Sequence, residues 1–267
     1  MNVLKFGGTS VANSASISKV ISIVKKQGTC TVVVSALGGV TDLLINAMNK
    51  AASGQDSYTD VFDTLEKRHL EVIQGFIPLD KQSSLISFVK VELNRLATLL
   101  EGIYMLQEVT PKASDKVSSF GELLSSTLIE AAFKQEQIAV ERIDGRELIT
   151  ANRHNGRIVI DWEQTEKKVT TAFEQTSAAV RLVPGYVAKN KAGEEITLGR
   201  GGSDFTAAII AKIIDAHTLE IWTDVSGMYT AHPNIVSQAQ PIEQLSFLEA
   251  MELSHLGAKG IYPPTLQ

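Results

Sequence analysis

The opening 35 residues limit the fold of this chain more than any other stretch. An apolar run, Val3-Leu4, reads as a buried strand that starts near the N-terminus and runs out after Phe6. Ser14 then caps a predicted helix over Ala15–Gln27, with Ile17, Val20, Ile21 and Val24 at helical spacing on one face. Thr31–Ser35 follows as a second short, β-branched strand. Strand, helix and strand in this order make a βαβ unit, so the two strands run parallel through a right-handed crossover. Ligands of such sheets sit beyond the carboxyl ends of the strands. The loops after Phe6 and after Ser35 both open on that edge.

Each strand end carries a glycine pair. The first loop reads Lys5-Phe6-Gly7-Gly8-Thr9-Ser10 and the second Ala36-Leu37-Gly38-Gly39-Val40-Thr41. Lacking Cβ atoms, Gly7 and Gly8 can take positive φ and let a polyanion approach their N–H groups, with the Lys5 ammonium in reach of a phosphate lying over the turn. A tight structural turn beside a surface lysine is the competing reading. A third glycine turn, Gly199-Arg200-Gly201-Gly202-Ser203-Asp204, leads into an amphipathic helix through Ala207, Ile210, Ala211 and Ile214. Gly201, Gly202 and that helix N-terminus form a second anion-binding concavity. Asp204 suits holding lysines, or water around Mg²⁺, better than binding anions. Arg200 offers a planar fork for a carboxylate. The competing reading makes Arg200 and Asp204 partners in surface salt bridges.

Between these turns the chain reads as mostly helical from Asp42 to Gln137, with breaks at Ser53-Gly54, Pro78 and Pro111. Ser118–Glu122 is expected to open a helix, where Glu122 would favour the dipole. Predicted strands follow at Ile138–Ile143, Arg157–Ile160, Leu182–Ala188 and Thr218–Trp222, with a helix over Glu163–Ala178, and Glu195–Leu198 leads into the third glycine turn. The last helix, Phe247–His255, opens on a capping box made by Ser246 and Glu249.

Several function classes are excluded on pattern. A net charge of −5 gives no global basic field for nucleic acid. G-x-G-x-x-G fails because Asp204 stands where the third glycine belongs, and the G-x-x-x-x-G-K-[ST] and G-x-S-x-G motifs are absent. The five histidines are scattered, with no zinc-type spacing, so no protein-held metal cluster is expected. One cysteine, Cys30, fits a packed core thiol and a reducing compartment. No window is long and apolar enough for a membrane span, and the opening strand leaves no room for a signal peptide, so a cytoplasmic location is expected. Trp222 and the phenylalanines are expected in the core.

Five segments in order, VLKFGGTSVAN (Val3–Asn13), SSFGE (Ser118–Glu122), GRGGSD (Gly199–Asp204), EIWTDVSGMYT (Glu220–Thr230) and EAMELSHLGAK (Glu249–Lys259), resemble the aspartate kinases. The long helical insert is most similar to the kinase portion of bifunctional aspartokinase/homoserine dehydrogenases. The resemblance implies the amino-acid-kinase fold, a three-layer α/β/α sandwich with a mainly parallel sheet. It also implies an amino-acid-binding half over about 1–195 and a nucleotide-binding half over about 196–267. Regulatory ACT and dehydrogenase domains are not among these residues. The implied reaction moves the γ-phosphoryl group of ATP, with Mg²⁺, to the β-carboxylate of L-aspartate, as the first step of lysine, threonine and methionine biosynthesis.

By motif, Lys5 would stabilise the transferring group, with Gly7, Gly8 and Thr9 at the phosphates. Ser35 and Thr41 would line the aspartate pocket. Glu122 would meet the substrate ammonium and Arg200 its α-carboxylate, while Asp204 organises the lysine and the metal surroundings. Gly201, Gly202, Thr223, Asp224, Tyr229 and Lys259 would serve the nucleotide. The full-length protein would be a homo-oligomer. The family usually reads Asp-Pro-Arg where this chain has His232-Pro233-Asn234, and GAKVLHPRT where it has Gly260, Tyr262 and Pro264, so the resemblance does not carry those contacts over. A sister kinase acting on another carboxylate, or a non-catalytic binding module, stays open beside this reading.

Overall fold

β1 (Asn2–Phe6) is buried along nearly its whole length because it has a parallel neighbour on each side. The computed structural model describes residues 1–231, 235–255 and 263–266. α1 (Ser14–Gln27) crosses back over one face to β2 (Cys30–Val34), completing the expected βαβ unit. Its cap is Asn13, not Ser14: the Asn13 side-chain oxygen accepts from the N–H of Ser16 at 3.0 Å. Asparagine caps as well as serine does, and the Ser14 hydroxyl is donated instead to the carbonyl of Glu71.

The helical stretch comprises α2 (Val40–Ala52), α3 (Val61–Phe76), α4 (Ser83–Leu106) and α5 (Pro111–Gln135). Pro111 starts α5 rather than breaking a helix, since the N–H it lacks would have no partner in a first turn. With Thr110 as the cap, Glu122 falls deep inside α5 rather than at an opening. The dipole role expected for it therefore disappears, because that effect is confined to the first turn.

β3 (Val140–Arg142), the short α6 (Gly145–Leu148), the hairpin β4 (Ala151–His154) with β5 (Arg157–Ile160), and α7 (Trp162–Gln175) lead to β6 (Val180–Pro184). The single strand expected over Leu182–Ala188 is two. β6 joins the main sheet, and β7 (Val187–Lys189) pairs antiparallel with β8 (Glu195–Thr197). The chain turns between them at Tyr186, whose φ of 70° takes it out of the strand conformation. α8 (Gly202–Ile213), β9 (Thr218–Trp222) and α9 (Phe247–His255) follow, α9 opening on the expected capping box.

The sheet order is β3-β6-β2-β1-β9, and every neighbouring pair is parallel. Strand alternation divides the core into two layers. Leu4, Phe6, Val32 and Val34 pack with residues of α1 to α5, whereas Val3, Val33 and Val183 pack with residues of α7 and α8. The result is helices on both faces of a parallel sheet. Cys30 is buried among the first set, and burial pushes its thiol up to about 11, as befits an unreactive core residue. Trp222 departs from expectation. At the end of β9, an outer strand of the described sheet, it stacks on Phe6 at 6.1 Å yet keeps 39% exposure. Among the described residues no helix is long and apolar enough to cross a membrane.

Candidate active site

Lys5 follows Val3 by two in β1, so its side chain leaves the sheet on the face covered by α8. There its Nζ stands 2.5 Å from Oδ1 of Asp204, in the first turn of α8. The two side chains are only 10% and 14% exposed. The contact is an ion pair without the directional geometry of a hydrogen bond. The turn at 199–204 thus lies against the turn after β1, and Asp204 is a partly buried partner of Lys5 rather than a free surface charge. Arg200 is exposed and makes no salt bridge among the described residues.

The loops after β1, β2, β6 and β9 converge on one edge. The Gly7 N–H donates to the carbonyl of Trp222 at 3.2 Å, and the Ser35 N–H donates to the carbonyl of Phe6 at 3.2 Å. A Cβ on Gly8 would come 3.2 Å from the carbonyl oxygen of Ala36, and one on Gly38 would come 3.1 Å from that of Gly8. The Gly185 N–H donates to the carbonyl of Val34 at 2.9 Å, and a Cβ on Gly202 would meet the Tyr186 ring at 2.8 Å. Gly8 and Gly38 serve close approach of backbone to backbone, and Gly202 leaves room for the Tyr186 ring. The first pair does not use the positive φ open to glycine: Gly7 has φ −71° and Gly8 is not in the left-handed region. Positive φ occurs instead at Gly39 (77°), Gly199 (77°) and Gly201 (66°).

Hydrogen bonding narrows the set of available donors. The Gly7 N–H is committed to Trp222, and that of Gly202 to the carbonyl of Gly199 at 2.9 Å. Both were expected at phosphates, and neither has its N–H to spare. Gly39 and Gly201 stand at the N-caps of α2 and α8 and supply no side-chain cap. First-turn N–H groups, including those of Thr41 in α2 and of Ser203 and Asp204 in α8, have no intrahelical acceptor, the arrangement that makes a helix N-terminus suited to an anion.

Glu122 reaches this edge from α5 on the opposite layer. Its Oε1 accepts from the N–H of Ala36 at 3.2 Å, while Oε2 is buried with no hydrogen-bond partner among the described residues. Burial pushes its carboxyl up to about 8, against the opposing pull of the Ala36 N–H, its own backbone and Lys5. An unpartnered, buried carboxylate oxygen beside a turn is suited to a cationic ligand. α5 comes this close because residue 121 is glycine: a Cβ there would lie 2.7 Å from Cβ of Ala36. Ser125, one turn on, donates to the carbonyl of Ser35 at 2.8 Å.

Thr223 and Asp224 are exposed just past β9, linked by a 3.1 Å hydrogen bond from the Thr223 hydroxyl. Tyr229 forms a bridge with Pro241 in the segment after them. Thr9 is exposed in a short 3₁₀ turn. Lys259, His232, Asn234, Gly260 and Tyr262 lie outside the described residues, and of Pro264 only the backbone is described. Among the described residues no three His, Cys, Asp or Glu side chains gather as a metal cage. Arg68 of α3 went unnoticed in the sequence, although its guanidinium donates to the carbonyl of Gly38. No local motif marks it, since α3 reads only as an amphipathic helix.

Fold and site together define an α/β protein that presents cations and helix N-termini at one edge of a parallel sheet, as phosphoryl-transfer proteins do. The match to known families is more specific: the model described as "Amino acid kinase family" aligns with residues 1–267, and the chain belongs to that family. It is 34% identical over 267 residues to the chloroplastic bifunctional aspartokinase/homoserine dehydrogenase 1 of Arabidopsis thaliana, covering 99% of this chain and 29% of the plant protein. It is 32% identical to the aspartokinase of Chlamydia pneumoniae, covering 99% of this chain and 56% of that protein. The chain therefore spans well under two thirds of the curated relatives it matches. Among solved structures, E. coli aspartokinase III in complex with aspartate and ADP superposes with a TM-score of 0.91 at 28% identity, over 100% of this chain and 58% of that one.

Proposed function

We propose that the chain transfers the γ-phosphoryl group of ATP to the β-carboxylate of L-aspartate, giving 4-phospho-L-aspartate and ADP. The observation that carries this is the Lys5–Asp204 pair, which joins two glycine turns into one cationic, N–H-rich site. The similarity to aspartokinases, one of them solved with aspartate and ADP, supports it.

The acceptor carboxylate has a reference pKa near 4. Already ionised at neutral pH, it needs no general base. A carboxylate oxygen attacks the γ-phosphorus as the bond to the bridging oxygen of ADP breaks, and no proton moves. Two obstacles remain, repulsion between anions and alignment. Lys5 offsets the first, with Asp204 holding the ammonium in place. Glu122 accepts the substrate ammonium on its unpartnered Oε2, and Arg200 takes the α-carboxylate. Ser35 and Thr41 flank the acceptor, and Gly8, Thr9, Gly201, Thr223, Asp224, Tyr229 and Lys259 serve the nucleotide. Gly7 and Gly202 shape the turns by their lack of a side chain.

Mg²⁺ fits the residues present. It is commonly held by one or two carboxylates together with substrate phosphates and water, so a protein cage is not required. Asp204 would contribute to its surroundings, and the ion would neutralise charge on the phosphates. The reading also keeps an amino-acid-binding half and a nucleotide-binding half, dividing near residue 195, a cytoplasmic location, and a homo-oligomer for the full-length protein.

Trapping acyl phosphate with hydroxylamine tests the proposal. Incubation with Mg-ATP and aspartate should yield the hydroxamate, and incubation with glutamate should not. Signal from glutamate alone would indicate a sister kinase, and nucleotide binding without product would indicate a binding module.

A further inference from the structure

A cation outside the motif set also reaches the site. α3 is held to the core by Leu65, His69, Val72 and Ile73, all buried, with Nδ1 of His69 2.6 Å from the carbonyl oxygen of Leu65. Arg68 precedes His69 and so lies on the border of that buried face. Its Nη1 donates to the carbonyl of Gly38, and a Cβ added to Gly39 would come 3.3 Å from the same nitrogen. The guanidinium is half-buried and has no carboxylate partner among the described residues. Nη1 of a fixed charge thus faces a turn, with the Gly38 carbonyl as its observed acceptor among the described residues.

The turn it holds is part of the site. Gly38 abuts Gly8, the Ala36 N–H binds Glu122, and Thr41 stands in the first turn of α2. Gly39, at φ 77°, sets the direction in which α2 leaves the turn. The Gly38 carbonyl is a partial negative charge beside a place meant for anions. A guanidinium covering it removes that repulsion and pins the peptide orientation on which the first-turn N–H groups of α2 depend.

We infer that Arg68 is a positioning residue for the acceptor amino acid, acting from the helical insert through the Gly38–Gly39 turn. The inference rests on the aspartate-kinase reading above. Because the turn belongs to the acceptor side of the site, losing Arg68 should weaken amino-acid use more than nucleotide use. The same turn touches Gly8, so a lesser effect on kcat is expected.

The test compares Arg68→Met and Arg68→Lys with wild type in the hydroxamate assay, with KM measured separately for aspartate and for Mg-ATP. Arg68→Met should raise the aspartate KM about tenfold or more, the scale of one lost charge-assisted hydrogen bond, and move the ATP KM by less than about twofold. Arg68→Lys, which can still donate to Gly38, should recover part of the loss. An unchanged aspartate KM in Arg68→Met overturns the inference. So does an equal rise in both KM values, or a loss that Arg68→Lys leaves wholly uncorrected. Melting curves of each variant show whether it is folded. Should Arg68→Met fail to fold, Arg68→Gln provides the same KM comparison without the charge. Wild type that makes no hydroxamate from aspartate sinks the kinase reading itself, a result distinct from any of these.

Discussion

Burying an ammonium group costs several kcal/mol unless an opposite charge is at hand. Lys5 has that charge in Asp204, and the pair leaves a fixed cation at the end of β1. Replacing Lys5 by alanine should lower kcat by roughly 10²–10³, the scale of one preorganised contact to a transition state. Steady-state ADP release from folded Lys5→Ala protein measures it, and undiminished turnover would refute the assignment. Glu122 makes a different prediction. Its carboxyl, near 8 in the ligand-free fold, lies above the ordinary value of 4.5. A raised value means that the fold favours the protonated form. The associated stability is complete below about 4.5 and is lost as pH rises toward about 8. Glu122→Gln should lack this loss, so its melting temperature should fall less between pH 5 and pH 8 than that of wild type. Parallel curves for the two proteins would contradict the buried, unpaired state of Oε2. Aspartate binding should reverse the effect, because an ammonium group at Oε2 favours ionisation, and a proton should be released on binding near neutral pH.

At the scale of elements, α5 brings Glu122 to the turn after β2 through Gly121. An alanine there would place its Cβ 2.7 Å from Cβ of Ala36, an atom fixed to backbone that cannot rotate away. Gly121→Ala should therefore cost about 1–3 kcal/mol, the usual range for overpacking a tight contact. Urea unfolding reads this directly, and a midpoint equal to that of wild type would show that α5 has slack. α5 was legible as a helix but its start was not. The apolar pattern from Leu123 onward points to an opening at Ser118, whereas Thr110 is the actual cap and Pro111 the first residue. Strand ends were legible where a glycine turn followed, as after β1. The split of β6 from β7 carried a local signal, the turn dipeptide Pro184-Gly185, but the apolar residues on either side of it outweigh that signal in a single-strand reading.

Across the whole molecule, strand order decides which turns meet. β9 pairs with β1 although most of the chain lies between them, and α8 covers the face from which Lys5 projects. If the meeting point binds a nucleotide, Mg-ATP at a hundred times its Kd should stabilise wild type by about 2.7 kcal/mol through mass action. Lys5→Ala should show a smaller thermal shift at the same concentration, since the cation it loses lies in the proposed phosphate site. Equal shifts in the two proteins would move the nucleotide away from this edge.

The sequence by itself determined the βαβ opening, the parallel sheet with helices around it, and the glycine turns that mark strand ends. These follow from periodicity and from backbone freedom, both of which are local. It also identified Lys5, Asp204 and Glu122 as chemistry-bearing residues. Only the tertiary structure decided that Lys5 and Asp204 touch, that Glu122 is buried with one oxygen unpaired, that the Gly7 and Gly202 N–H groups are already committed, and that Arg68 reaches Gly38. Distances between remote segments depend on sheet order and on how closely helices pack, which no local pattern encodes.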